Sequence, residues 1–305
     1  VTQTSNLRVE YDRHPIAVDR PRPRFSWNLV SQERDQIQEA YQLLIATSES
    51  LLETDLGDMW DSGRVSSAQS GLVPYEGTSL ESDTDYYWKV RVWDRNGDPS
   101  PFSDIARFST GLFGADDWKA KWIGRGPVDE STQKRGADYE PDRSQPMLRT
   151  EFIAKKSIRR ARAFICGLGF HELHVNGRKA GDHYLSPAKT DFSRQVLYET
   201  IDVTDMVVEG SNAIGANLGG GWYSTQKRHW GWRMSWYGHP RLILQLHIDY
   251  ADGCRDVVVS NETWKSTTGP ITANCIFDGE RYDARLEKPG WNSVGYDDGD
   301  WDGVN

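Results

Sequence analysis

The chain is 305 residues long with a formal net charge of −9 at pH 7, and 27% of its residues are charged against 37% hydrophobic. That length suits two or three domains. The acidic balance argues against nucleic acid or an anionic membrane surface as partner, and no stretch approaches the roughly 18 apolar residues needed to span a bilayer.

Aromatic residues reach 11%, with 13 tryptophans. Indole faces either fill β-sandwich cores or stack on sugar rings, and composition does not separate the two. The start, VTQTSN, has neither a basic-then-apolar signal pattern nor an initiator methionine. Cys166, Cys254 and Cys275 form an odd set without metal-ligand spacing, so buried thiols are expected and one disulfide is left open. The lean is towards a reducing, cytoplasmic compartment.

In chain order, RFSWNL places Phe25, Trp27 and Leu29 on one face, the period-2 mark of a half-buried strand. YQLLIATS is a second strand. DTDYYWKVRVWDRNGDPS predicts a third, with Tyr86, Trp88, Val90 and Val92 on one face, Lys89 and Arg91 on the other, and a turn at Asn96-Gly97. SPFSDIARFSTG closes the unit. The aromatic-rich strand, the D-x-x-G turn and S-x-x-x-x-F-x-T resemble a fibronectin type III module, expected over residues 1–112 as a spacer without a site.

A second domain is expected over 113–305. Lys119, Lys121 and Ile123 alternate against Trp118, Ala120 and Trp122, and residues 125–146 read as a long polar surface loop. Strands follow in LRTEFIA, RARAFICGLG, FHELHVNG, VLYETIDVTD, NAIGANLG, RLILQLHIDY and RDVVVSNETWKST. Asn176-Gly177 and Asp252-Gly253 are hairpin turn signals. No long amphipathic helix appears, so the whole chain reads as all-β, with a jelly-roll-like sandwich as its second domain.

Several linked motifs then resemble the N-terminal β-sandwich of bacterial-type α-L-rhamnosidases. They are G-x-x-x-L-x-V-N-G at Gly169–Gly177, L-x-P-x-x-T-D-F at Leu185–Phe192, Y-x-T-x-D-V-T-D at Tyr198–Asp205, N-A-I-G-x-x-L-G-x-G-W-Y at Asn212–Tyr223, and F-D-G-E-x-Y-D-A-R at Phe277–Arg285. The resemblance implies an inverting glycoside hydrolase that releases terminal L-rhamnose. Its paired carboxylates, roughly 6.5–9.5 Å apart, would lie in a downstream (α/α)6 barrel that this chain does not include. The chain is therefore expected to hold no catalytic residue. Its expected partners are a rhamnose-containing glycan and that barrel, with no cofactor.

Two segments are candidate substrate contacts. The aromatic stretch 218–240 offers Trp222, Trp230, Trp232 and Trp236, either as sugar platforms or as a seam against another domain. In FDGERYDAR, Asp278, Glu280, Asp283 and Arg285 could bond sugar hydroxyls, or Arg285 could clamp a carboxylate to hold a turn. HELH at His171–His174 lacks zinc spacing, because the two imidazoles fall on opposite faces of a strand. The acidic run Asp297–Asp302 leaves a structural calcium open.

Overall fold

The structure is a computed structural model that describes residues 2–126, 144–225, 228–229, 232–233 and 237–305, the two short pieces 228–229 and 232–233 as backbone only. The chain divides into two compact units, Val1–Trp118 and Lys119–Asn305. No described helix is long and apolar enough to cross a membrane.

The first unit contains β1 (Gln3–Val9), β2 (Arg24–Val30), β3 (Ala40–Ala46), β4 (Trp60–Asp61), β5 (Val73–Pro74), β6 (Asp85–Trp93) and β7 (Ala106–Ser109), with one short helix, α1 (Glu49–Glu53). They form a three-stranded sheet ordered β1-β2-β5 and a four-stranded one ordered β4-β3-β6-β7. Phe25, Trp27, Tyr86, Trp88, Val90, Val92 and Phe108 share one buried cluster, as the alternation predicts. Tyr86, near the start of β6, accepts the Glu81 N–H at 2.9 Å, the tyrosine-corner contact of immunoglobulin-like sandwiches. The other face of β6 is not left to solvent. Lys89 is buried with its ammonium on the Leu52 carbonyl and Asp55, because α1 covers that face.

The second unit contains β8 (Ile123–Gly124), β9 (Pro146–Ala154), β10 (Ile158–Leu168), β11 (Phe170–Val175), β12 (Arg178–Lys179), β13 (Glu199–Asp202), β14 (Gly210–Gly219) and β15 (Arg228–His229). It continues with β16 (Trp232–Arg233), β17 (Arg241–Tyr250), β18 (Arg255–Val259), β19 (Lys265–Thr268), β20 (Ile271–Cys275), β21 (Gly279–Tyr282) and β22 (Asp302–Gly303). A sheet ordered β13-β10-β17-β18, with β8 also on β17, faces a six-stranded sheet ordered β12-β11-β14-β9-β19-β22. Between them lies one core. Ala161, Ala163, Ile165, Leu242, Leu244, Leu246 and Ile248 come from the first sheet, and Leu148, Leu173, Val175, Ile214, Ala216 and Leu218 from the second.

Three local readings need correction. Of residues 118–124 only Ile123–Gly124 is a strand. The preceding N–H groups find partners outside a ladder: Lys119 N–H donates to Gln245 Oε1 at 3.0 Å, and Lys121 N–H to the Ser260 carbonyl at 2.8 Å. Within VLYETIDVTD only β13 is strand. Of the three cysteines, all free, Cys166 is buried but Cys254 is exposed and Cys275 half-buried. Residues 127–143, most of the expected loop, lie outside the described residues.

The C-terminal segment straps the outer face of the six-stranded sheet. Arg149 on β9, 1% exposed, bonds the carboxylates of Asp298 and Glu151, the latter at 2.5 Å, and the carbonyls of Trp291 (2.9 Å) and Ser293 (3.2 Å). Trp291 sits directly on Gly215 of β14, where a methyl group would come within 2.4 Å of its ring. That close approach is the reason for a glycine in mid-strand.

Candidate functional site

The aromatic segment leaves β14 through Gly219–Gly221, beside Phe170 at the start of β11. Gly221 takes a positive φ of +53° against Phe170, a position that disfavours any side chain. Gly220 N–H donates to Asn274 Oδ1 at 2.6 Å, which ties this turn to β20. Trp222, half-buried, meets the exposed Phe277 edge to face at 5.7 Å, and Lys189 Nζ lies 4.6 Å from its ring centre. Tyr223 stacks on Tyr237 at 5.6 Å, and Phe192 packs edge-on to both. The Leu185–Phe192 stretch thus reaches the Gly-Gly-Trp-Tyr turn. Trp230 and Trp236 lie outside the described residues; Trp232 is described only as backbone in the β15–β16 hairpin.

FDGERYDAR forms the β20–β21 hairpin and the turn after it. Asp278 lies in the hairpin connection, and Glu280, exposed on β21, pairs in register with Asn274. Asp283 caps a 3-10 turn by accepting the Arg285 N–H at 3.1 Å, and the Arg285 guanidinium grips the same carboxylate at 2.8 and 2.5 Å. That clamp holds the Asp283 carboxyl below the usual range. Of the roles considered for Arg285, clamping the turn is therefore the contact formed.

A third group of residues had no local signal in the sequence. Glu199 opens β13, and its Oε1 accepts Ser186 Oγ at 2.6 Å and pairs with His183 Nδ1 at 2.9 Å. Oε2 lies 3.2 Å from the buried His171 Nε2. Burial pushes the Glu199 carboxyl up, but His171, Ser186 and His183 outweigh it and bring it down to about 2. Burial, with Glu199 adding to it, raises the nearby Cys166 thiol to about 12. His183 and Ser186 flank Tyr184 and Leu185. Leu185 takes φ +56°, a conformation that costs a non-glycine residue of order 1–3 kcal/mol.

His171 and His174 do fall on opposite faces of β11: His174 leaves the Glu199 side and meets Asn292 Nδ2 at 3.0 Å and the Trp291 ring. Among the described residues no group of three or more His, Cys, Asp or Glu is placed to hold a metal ion. In the Asp297–Asp302 run three of the four carboxylates have protein partners. Asp298 bonds Arg149 and Lys265, Asp302 bonds Arg125 at 2.6 Å, and Asp297 accepts the Gly299 N–H.

Comparison with known proteins agrees with this architecture. Residues 4–114 match the family model "Rha78A-like, N-terminal immunoglobulin domain", and residues 156–305 match "Alpha-L-rhamnosidase N-terminal domain". An α-L-rhamnosidase of Formosa agariphila is 36% identical over 94% of this chain and 32% of its own length. The α-L-rhamnosidase structure from Dictyoglumus thermophilum matches with TM-score 0.87 and 38% identity, over 99% of this chain and 33% of that one. That of Streptomyces avermitilis, complexed with L-rhamnose, matches with TM-score 0.89 and 25% identity, over 100% of this chain and 45% of that one. The chain spans about a third of the length of the first of these relatives. With both domains matched in order, the chain belongs to the amino-terminal region of the α-L-rhamnosidase family, an immunoglobulin-like domain followed by the rhamnosidase N-terminal domain.

Proposed function

We propose that this region serves an α-L-rhamnosidase, an inverting glycoside hydrolase that releases terminal L-rhamnose, as its non-catalytic scaffold and as a contributor to glycan recognition. The observation that carries the reading is the match of nearly the whole chain to about a third of the length of α-L-rhamnosidases, in sequence and in fold. The downstream (α/α)6 barrel would supply the general acid and base. Hydrolysis by the 305-residue chain tests the division of labour. It should not turn over an aryl rhamnoside above the uncatalysed rate. Turnover that disappears in Glu280→Gln would overturn the reading.

Direct glycan binding by this region is supported by one local feature. Trp222 and Phe277 meet beside Lys189 and Asn274, which combines an aromatic surface with polar groups. The Streptomyces avermitilis relative was solved with L-rhamnose, which makes that sugar the probe of choice. Rhamnose should quench tryptophan fluorescence in a saturable way, and Trp222→Ala should abolish the change. A flat titration to high millimolar sugar removes this part of the proposal and leaves the scaffold role standing.

A further inference from the structure

Tyr184 and Leu185 are 76% and 69% exposed, more than any other large hydrophobic residue described, and they are adjacent in sequence. An exposed leucine is unremarkable alone. Here it is also held at φ +56°, which a leucine at a free loop tip would abandon.

The restraint is visible on both sides of the pair. His183 and Ser186, the flanking residues, are tied to the same Glu199 oxygen, and the Ser186 carbonyl accepts the buried His171 N–H at 2.9 Å. Lys179 Nζ lies 3.6 Å from the Tyr184 ring centre and steadies it. A half-buried carboxylate therefore holds two large side chains out in water.

We propose that Tyr184 and Leu185 form a pre-shaped docking knob for the hydrolytic part of a longer rhamnosidase polypeptide, which would offer it an apolar socket; this rests on the function proposed above. The relatives carry about twice as much polypeptide outside the matched region as inside it, which supplies an occupant of adequate size. The chemistry of the tip favours protein over glycan. Leucine offers sugar hydroxyls no hydrogen bond, whereas it fills an apolar socket well. A tip already fixed before docking loses little conformational entropy when it seats.

Leu185→Asn gives a test in which the two settings move in opposite directions. Asparagine tolerates a positive φ better than leucine. In the 305-residue chain the variant should therefore hold or raise the thermal midpoint. In the longer polypeptide it should lower the midpoint by ~3 °C or more and speed proteolytic separation of the two parts. Tyr184→Ser should behave like Leu185→Asn in the longer chain, and Ile153→Ser, an exposed control on β9, should change neither.

The knob is refuted if Leu185→Asn leaves the longer polypeptide unaffected while that polypeptide hydrolyses an aryl rhamnoside; the rhamnosidase reading then survives. A longer polypeptide inactive on rhamnosides, or a native chain ending at Asn305, overturns both. Concentration-dependent dimerisation of the 305-residue chain that Leu185→Asn abolishes assigns the knob to a second copy and overturns the occupant proposed.

Discussion

The Ser186 hydroxyl and the Glu199 carboxylate are joined by a 2.6 Å hydrogen bond that ties the Leu185–Phe192 stretch to the first residue of β13. Glu199 is held at about 2, below its ordinary value near 4.5, so its contribution to stability is complete above pH 4.5. It is lost as pH falls from there towards 2. The shift corresponds to about 3 kcal/mol. Glu199→Gln should cost about that much at pH 7 and little at pH 2. Urea denaturation of both proteins across this range would show the curves converging; parallel curves would refute the assignment.

The strap over β14 should yield to either of two unrelated substitutions. Arg149→Met removes the buried cation that gathers Asp298, Glu151 and two carbonyls, and breaking such a site typically costs about 3–5 kcal/mol. Gly215→Ala leaves the charges intact but drives a methyl group into Trp291. Both should lower the unfolding midpoint and shift tryptophan emission as Trp291 and Trp301, stacked at 6.4 Å, are released. An Arg149→Met protein within about 1 kcal/mol of the parent would contradict this role.

These two sites mark where the sequence stopped being legible. Alternation predicts Tyr86, Trp88, Val90 and Val92 as one buried face, and Asn176-Gly177 forms the tight turn between β11 and β12, both residues at positive φ. Such features depend on near neighbours. The acidic run Asp297–Asp302 does not: its meaning is set by Arg149, Lys265 and Arg125, all distant in sequence, so it reads locally as a calcium candidate. Glu199 is equally silent, one acid among many until His171, His183 and Ser186 converge on it. RLILQLHIDY misleads in the opposite sense. Gln245, His247 and Asp249 occupy the face that alternation would give to solvent, yet every residue of β17 is buried, with Asp249 held by Arg160 and Arg255.

The thiols should separate by rate. Cys254 is exposed, Cys275 half-buried, and Cys166 is both buried and raised to about 12 by that burial, with Glu199 adding to it. Thiolate is the reactive form. A disulfide reagent at pH 8 should therefore modify Cys254 first, Cys275 more slowly and Cys166 only on denaturation. Mass-resolved labelling would read the order, and native Cys166 reacting as fast as Cys254 would be inconsistent with it.

The Asp283–Arg285 pair is unequal in what each partner does, although the two grip each other in a bidentate fork. Arg285 is almost wholly in water, where screening leaves a side-chain ion pair little net effect. Asp283 also caps the 3-10 turn by accepting a backbone N–H, a bond that survives loss of the guanidinium. Asp283→Ala should therefore loosen the turn after β21, seen as faster amide exchange at Arg285 and Leu286, whereas Arg285→Ala should leave that exchange nearly unchanged. If Arg285→Ala loosens the turn as much as Asp283→Ala, the guanidinium rather than the cap holds it, and the order argued from exposure is wrong.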